Sequence, residues 1–140
     1  RLRDVKDARD VMHEYDALVV PSFQESQPHA ALVAMTMGVP IIGSSVGGMN
    51  ALVTEELLDA QHKKIGASGE LVPPGDSAAL ATLMAKLTQS PELYRAWHEN
   101  ALARIKAFYL LPQVMRRYNA IYRNLGAGKH KVIGGAAMVP

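Results

Sequence analysis

The chain has 140 residues, of which 49% are hydrophobic and 20% charged, with a formal net charge of +2 and no cysteine. That length supports one core and is too short for two ordinary domains. Without cysteine there is no disulfide framework, thiolate nucleophile or cysteine zinc site, which fits a reducing, cytoplasmic compartment.

The basic residues are scattered except at Lys63-Lys64, Arg116-Arg117 and Lys129-His130-Lys131, so no nucleic-acid footprint is expected. No apolar run approaches the roughly 18 residues of a bilayer-spanning helix, and the opening RLRDVKDARD lacks the apolar core of a signal peptide. A soluble protein is expected, cytoplasmic, with a peripheral position at the inner face of a membrane left open. The chain opens on Arg1 in mid-pattern, so upstream sequence is expected to be missing.

In chain order, Val5, Ala8 and Met12 recur at near-helical spacing among charges and predict a short amphipathic helix over 1–14. Asp16 to Pro21 is an apolar run without alternation, the pattern of a strand covered on both faces, with Pro21 ending its ladder. After a polar turn, Ser22 to Gln27, Pro28 suits a first helical turn and Ala30 to Met37 propagates until Gly38 stops it. That helix is apolar almost all round, which predicts deep burial. Pro40 to Ser44 is the next buried strand. Val46-Gly47-Gly48 is then a turn into a short helix over Met49 to Leu58, and strand-helix-strand order implies a right-handed crossover with parallel pairing.

Residues 58–68 are polar and unpatterned, and predict a surface loop. Gly69 to Asp76 holds one more short strand, with Asp76 or Ser77 capping a helix over 77–88 that buries Leu80, Leu83, Met84 and Leu87. Ser90-Pro91-Glu92 starts another helix with Leu93, Trp97, Ala101 and Ile105 inside. A last helix, about 112–125, is expected to bury Val114, Tyr118, Ile121 and Leu125. The aromatics Trp97, Phe108, Tyr109, Tyr118 and Tyr122 read as core. The glycine-rich 126–140 reads as a flexible tail.

A short strand leading into P-S-x-x-E at Glu25, an apolar helix, G-V-P-I-I, a V-G-G turn, then G-E-L-V-P-P-G-D and a helix, together resemble the C-terminal half of a family 4 glycosyltransferase. The resemblance runs from about Asp16 to Leu125 and lies in the order and spacing of the motifs. It implies an α/β fold: a parallel Rossmann-like sheet with flanking helices, part of the C-terminal, nucleotide-sugar-binding domain of a GT-B architecture, over residues 1–125 and ending in a helical segment. The implied activity is retaining transfer of a hexose-like sugar from a nucleoside diphosphate sugar to an unknown acceptor, whether saccharide, lipid-linked or small molecule. No cofactor or metal is implied.

The resemblance implies donor contacts from Glu25, Ser26, Gln27, His29, Ala30, Val33, Gly47 and Gly48. In that family one glutamate meets the sugar hydroxyls and a second, after seven intervening residues, meets the ribose. Glu25 matches the first; Val33 stands at the second. The family also carries a glutamate three residues after its second glycine, where this chain has Ala51, and a glycine-rich turn where this chain has Ser26-Gln27-Pro28-His29. These departures leave two readings open, a donor held differently or a degenerate, non-catalytic partner module. The family's diphosphate-binding cations precede the Glu25 motif and its acceptor site lies in the other half, so the 140 residues alone are expected to be inactive. They are expected to pair with a missing N-terminal half or another copy.

Read from the residues alone, Glu25 is a favourable charge at the positive end of a helix, and His29 serves equally as a cap or as a phosphate or sugar contact. Gly47-Gly48 allows either a tight turn or close approach of backbone to a phosphate. Ser22 has no base at a suggestive spacing. Five histidines, at 13, 29, 62, 98 and 130, are spread too far for a metal pair. Glu55-Glu56 points apart on a helix and reads as a solvated face.

Overall fold

A computed structural model describes residues 6–126. In chain order the elements are α1 (Arg9–Met12), β1 (Leu18–Val20), α2 (His29–Thr36), β2 (Ile41–Ser44), a π-helical turn (Asn50–Thr54), β3 (Leu57–Leu58), β4 (Lys64–Ile65), β5 (Gly69–Val72), α3 (Ser77–Thr88), α4 (Pro91–Arg104), a second π-helical segment (Ile105–Tyr109) and α5 (Leu111–Gly126).

The unalternating apolar runs become a parallel sheet with strand order β1-β2-β5, in which Leu18 faces Ile41 and Ile41 faces Gly69 across the ladders. Every residue of β2 is buried, as a central strand covered on both faces requires. Successive side chains of a strand point to opposite faces, and the two isoleucines of β2 accordingly seed two cores. Ile41 packs with Ala31, Ala34 and Met35 of α2, with Met49, Leu52 and Val53, and with Ala101 and Ile105. Ile42 packs with Leu83 and Leu87 of α3 and Trp97 of α4. Helix α4 thus touches both layers.

The capping signals act as their chemistry dictates. The Asp76 carboxylate accepts from the Ala79 N–H at 2.8 Å, and the Ser90 hydroxyl accepts from Leu93 N–H at 3.4 Å ahead of Pro91. A negative or lone-pair oxygen there satisfies donors that the helix cannot.

Several expectations are corrected. The loop over 58–68 contains an antiparallel hairpin: Leu57 pairs with Ile65, and both bury against Phe108. Its polar tip folds because the Asp59 carboxylate accepts N–H bonds from Gln61 and Lys63, each at 2.9 Å, while His62 takes φ 60°. The helix over 49–58 is only the turn Asn50–Thr54, ended by Glu55 in extended conformation. Helix α2 buries Ala31, Ala34 and Met35 but leaves Ala30 and Met37 exposed, so its apolar circumference is not wholly covered. Met84 of α3 is exposed as well.

The largest departure is α5. Of its expected inner face only Val114 is half-buried, while Tyr118, Ile121 and Leu125 are exposed, at 54%, 37% and 51%, and Tyr122 is exposed too. The amphipathic stripe is present but has no surface among the described residues to cover it. Of the first predicted helix, Met12 packs on the core and Ala8 is exposed; Val5 lies outside the described residues, as does the tail after Gly126. No described helix is long and apolar enough to cross a membrane.

Candidate functional site

In a parallel sheet, ligand sites form beyond the C-terminal ends of the strands, where loops lead into helices. Here the loop from Pro21 to Pro28 leaves β1, the turn from Ser45 to Met49 leaves β2, and Pro73 to Asp76 leaves β5. A cleft of about 200 Å³ opens between the first and third of these, lined by residues that include Phe23, Ser44, Pro73 and Asp76, with Glu25 and Gly47-Gly48 outside its lining.

Glu25 lies half-buried in the first loop, and its Oε1 accepts a hydrogen bond from the Ser22 hydroxyl at 3.1 Å. Ser22 therefore orients a carboxylate. The main-chain carbonyl of Glu25 accepts the Gly48 N–H at 3.3 Å, which ties the first loop to the second.

Gly47 and Gly48 are explained by that contact. Gly47 has φ 47°, in the left-handed region that favours glycine, and a Cβ there would stand 1.7 Å from the Glu25 carbonyl oxygen. A Cβ on Gly48 would stand 1.9 Å from the Ser26 carbonyl oxygen. The backbone that the glycines admit most closely is the protein's own, and the two loops form one packed unit.

Ser26 and Gln27 are exposed on the first loop, and Pro28 precedes α2 in extended conformation. His29 and Ala30 occupy the exposed first turn of α2, whose N-terminus has no side-chain cap among the described residues. Its first N–H groups thus point into the loop region with the positive end of the helix dipole. Val33 lies one turn further along, half-buried. Structure therefore joins Glu25, Ser26, Gly47 and Gly48 in direct contact, sets His29 and Ala30 beside them, and leaves Val33 as an apolar position on the same helix. Ala51 is exposed.

Two features escaped the sequence. Phe23 is 79% exposed at the mouth of the cleft, beside Gly75, an aromatic face free for stacking. Ser45 donates its hydroxyl to Asn50 Oδ1 at 2.9 Å, closing the second loop. A lone Phe in a polar turn and a serine five residues before an asparagine carry no periodic signal. Glu55 and Glu56 are exposed, and Glu56 pairs with Lys64 at 3.0 Å.

Parallel strands with helices on both faces, and loops converging beyond their C-terminal ends, define a Rossmann-like α/β class of domain. Residues 2–90 match the family described as glycosyl transferases group 1, and the chain belongs to that family. It is 30% identical over 111 residues to an alpha-D-kanosaminyltransferase of Streptomyces kanamyceticus, covering 79% of this chain and 26% of that protein. It is 32% identical over 93 residues to a D-inositol 3-phosphate glycosyltransferase 2 of Catenulispora acidiphila, covering 66% and 19% respectively.

Among solved structures, a sucrose-phosphate synthase of Thermosynechococcus elongatus superposes with a TM-score of 0.66 at 31% identity, covering 81% of this chain and 26% of that one. The fold is that of a GT-B glycosyltransferase. The chain spans about a quarter of that structure and between about a fifth and a quarter of these relatives.

Proposed function

We propose that this chain is the donor-binding part of a retaining glycosyltransferase that moves a hexose-like sugar from a nucleoside diphosphate sugar to an acceptor. The observation that carries the reading is Glu25, a carboxylate oriented by Ser22 beside the uncapped N-terminus of α2. A carboxylate accepts hydrogen bonds from sugar hydroxyls, and free main-chain N–H groups at a helix N-terminus suit a diphosphate. Phe23 offers a face for a base or sugar ring.

In this reading Glu25 fixes the sugar, the amides of His29 and Ala30 face the diphosphate, and His29 is a neutral hydrogen-bonding partner. No residue of the loop needs to act as a nucleophile; the site contributes position and charge stabilisation. Binding requires no metal. The rest of the full-length protein supplies the acceptor site and the facing wall, and covers α5, whose Tyr118, Ile121 and Leu125 are exposed among the described residues.

Calorimetric titration of the full-length protein and its Glu25→Ala variant with a panel of nucleoside diphosphate sugars tests the reading. At least one donor is expected to bind, and Glu25→Ala is expected to weaken it about tenfold or more, the loss of a charged hydrogen bond. Binding that Glu25→Ala leaves unchanged rejects the assignment. A second reading, a non-catalytic partner module, draws support from Val33 and Ala51, neither of which can bond a ribose or sugar hydroxyl; it predicts no donor binding at all.

A further inference from the structure

Arg104, at the end of α4, is fully buried. A buried charge needs compensation, and among the described residues its hydrogen-bond acceptors are all main-chain carbonyls. Its Nε donates to Gly66 O at 2.9 Å, and its Nη1 donates to Leu52 O at 3.0 Å and Ala51 O at 3.3 Å. Its Nη2 donates to Glu55 O. Burial pushes the guanidinium below the usual arginine value, yet at neutral pH it remains charged.

Three of the four carbonyls it holds are those of the Asn50–Thr54 turn and the residue after it. Asn50 O is taken by the Glu55 N–H, and Val53 O by the Ser68 N–H at 2.9 Å. Arg104 takes Ala51, Leu52 and Glu55. The planar fork of a guanidinium reaches several divergent acceptors at once, which a lysine ammonium on a flexible stem does not reproduce.

The other end of this short segment is the glycine turn. Leu52 N–H donates to Gly48 O at 3.1 Å, and Gly48 N–H holds Glu25 O. One continuous set of hydrogen bonds therefore runs from the guanidinium, through Leu52 and Gly48, to the main chain of Glu25. With carbonyl oxygens standing less than 2 Å from the positions a Cβ would take on Gly47 and Gly48, the contact between the loops tolerates little displacement. We infer that Arg104 is a positioning residue for the donor site, setting the register of the 45–54 segment and thereby the place of Glu25. This rests on the donor-binding reading of that loop.

The test uses the full-length protein with Arg104→Gln, Arg104→Lys and Leu83→Ala. Leu83 belongs to the core on the other side of the sheet, so its truncation lowers stability without touching the hydrogen-bond chain. Donor affinity is read by calorimetry well below the melting temperature of each variant, together with the exchange rate of the Gly48 amide. Arg104→Gln is expected to weaken donor binding about tenfold or more, as loss of charged hydrogen bonds implies, and to accelerate Gly48 exchange.

Arg104→Lys is expected to fall between Arg104→Gln and wild type, while Leu83→Ala keeps donor affinity within about twofold. Where Arg104→Gln does not fold, Arg104→Lys carries the test. Arg104 variants that bind donor as wild type does overturn the inference, and so does an equal loss in Leu83→Ala, which would make the effect one of general stability. A wild-type protein that binds no donor overturns the donor reading and this inference together.

Discussion

Gly48→Ala offers a graded probe of how tightly the two loops are joined. A methyl group at this position would lie 1.9 Å from the Ser26 carbonyl oxygen, whereas carbon and oxygen in ordinary contact stand about 3.3 to 3.5 Å apart. One loop must retreat by well over 1 Å. The Gly48 N–H to Glu25 O bond, already 3.3 Å long, does not survive that movement. Its loss costs about 0.5 to 1.5 kcal/mol, and the forced repacking adds about 1 to 3 kcal/mol.

The expected destabilisation is therefore about 1.5 to 4.5 kcal/mol, with a displaced Glu25 and weaker donor binding. Urea unfolding of the full-length protein, followed by donor titration of the folded variant, measures both. Leu83→Ala, in the core on the other side of the sheet, is the control for donor binding, since it lowers stability without touching either loop. A Gly48→Ala protein within about 0.5 kcal/mol of wild type, the range of an innocuous surface change, would refute the packed-loop reasoning.

Two other expectations follow from exposure and charge. Tyr118→Asp alters an exposed position of α5, so the isolated 140-residue chain should keep its melting temperature while the full-length protein loses stability; equal losses in both would show that α5 is covered within the chain. Burial raises the Tyr109 phenol above its usual value of 10.0, so above about pH 10 the unfolded chain ionises first and stability falls as pH rises. Tyr109→Phe should flatten that part of a stability profile measured from pH 8 to 11.

The sheet was legible because its strands declare themselves: Leu18 to Val20 and Ile41 to Ser44 are apolar without alternation, and Pro21, Gly38 and Asp76 punctuate them by known chemistry. Hydrophobic pattern does not report what lies across from a helix, however. The stripe Val114, Tyr118, Ile121, Leu125 says only that α5 has a face to cover, and among the described residues nothing covers most of it.

The hairpin was hidden for the opposite reason, since only Leu57 and Ile65 are buried and the turn between them is held by one aspartate carboxylate. At the site, Glu25 was legible through its place after a strand and before a helix. That Gly47 and Gly48 admit neighbouring backbone, and that a buried Arg104 holds the segment behind them, depends on contacts between residues distant in sequence. Composition and spacing carry no trace of either.

The central claim, that the loops around Glu25 bind a nucleoside diphosphate sugar, is tested most directly by amide hydrogen exchange on the full-length protein with and without donor. The account predicts slowed exchange concentrated in residues 22–30 and 45–50. Exchange unchanged there at saturating donor, with protection elsewhere or nowhere, would contradict it.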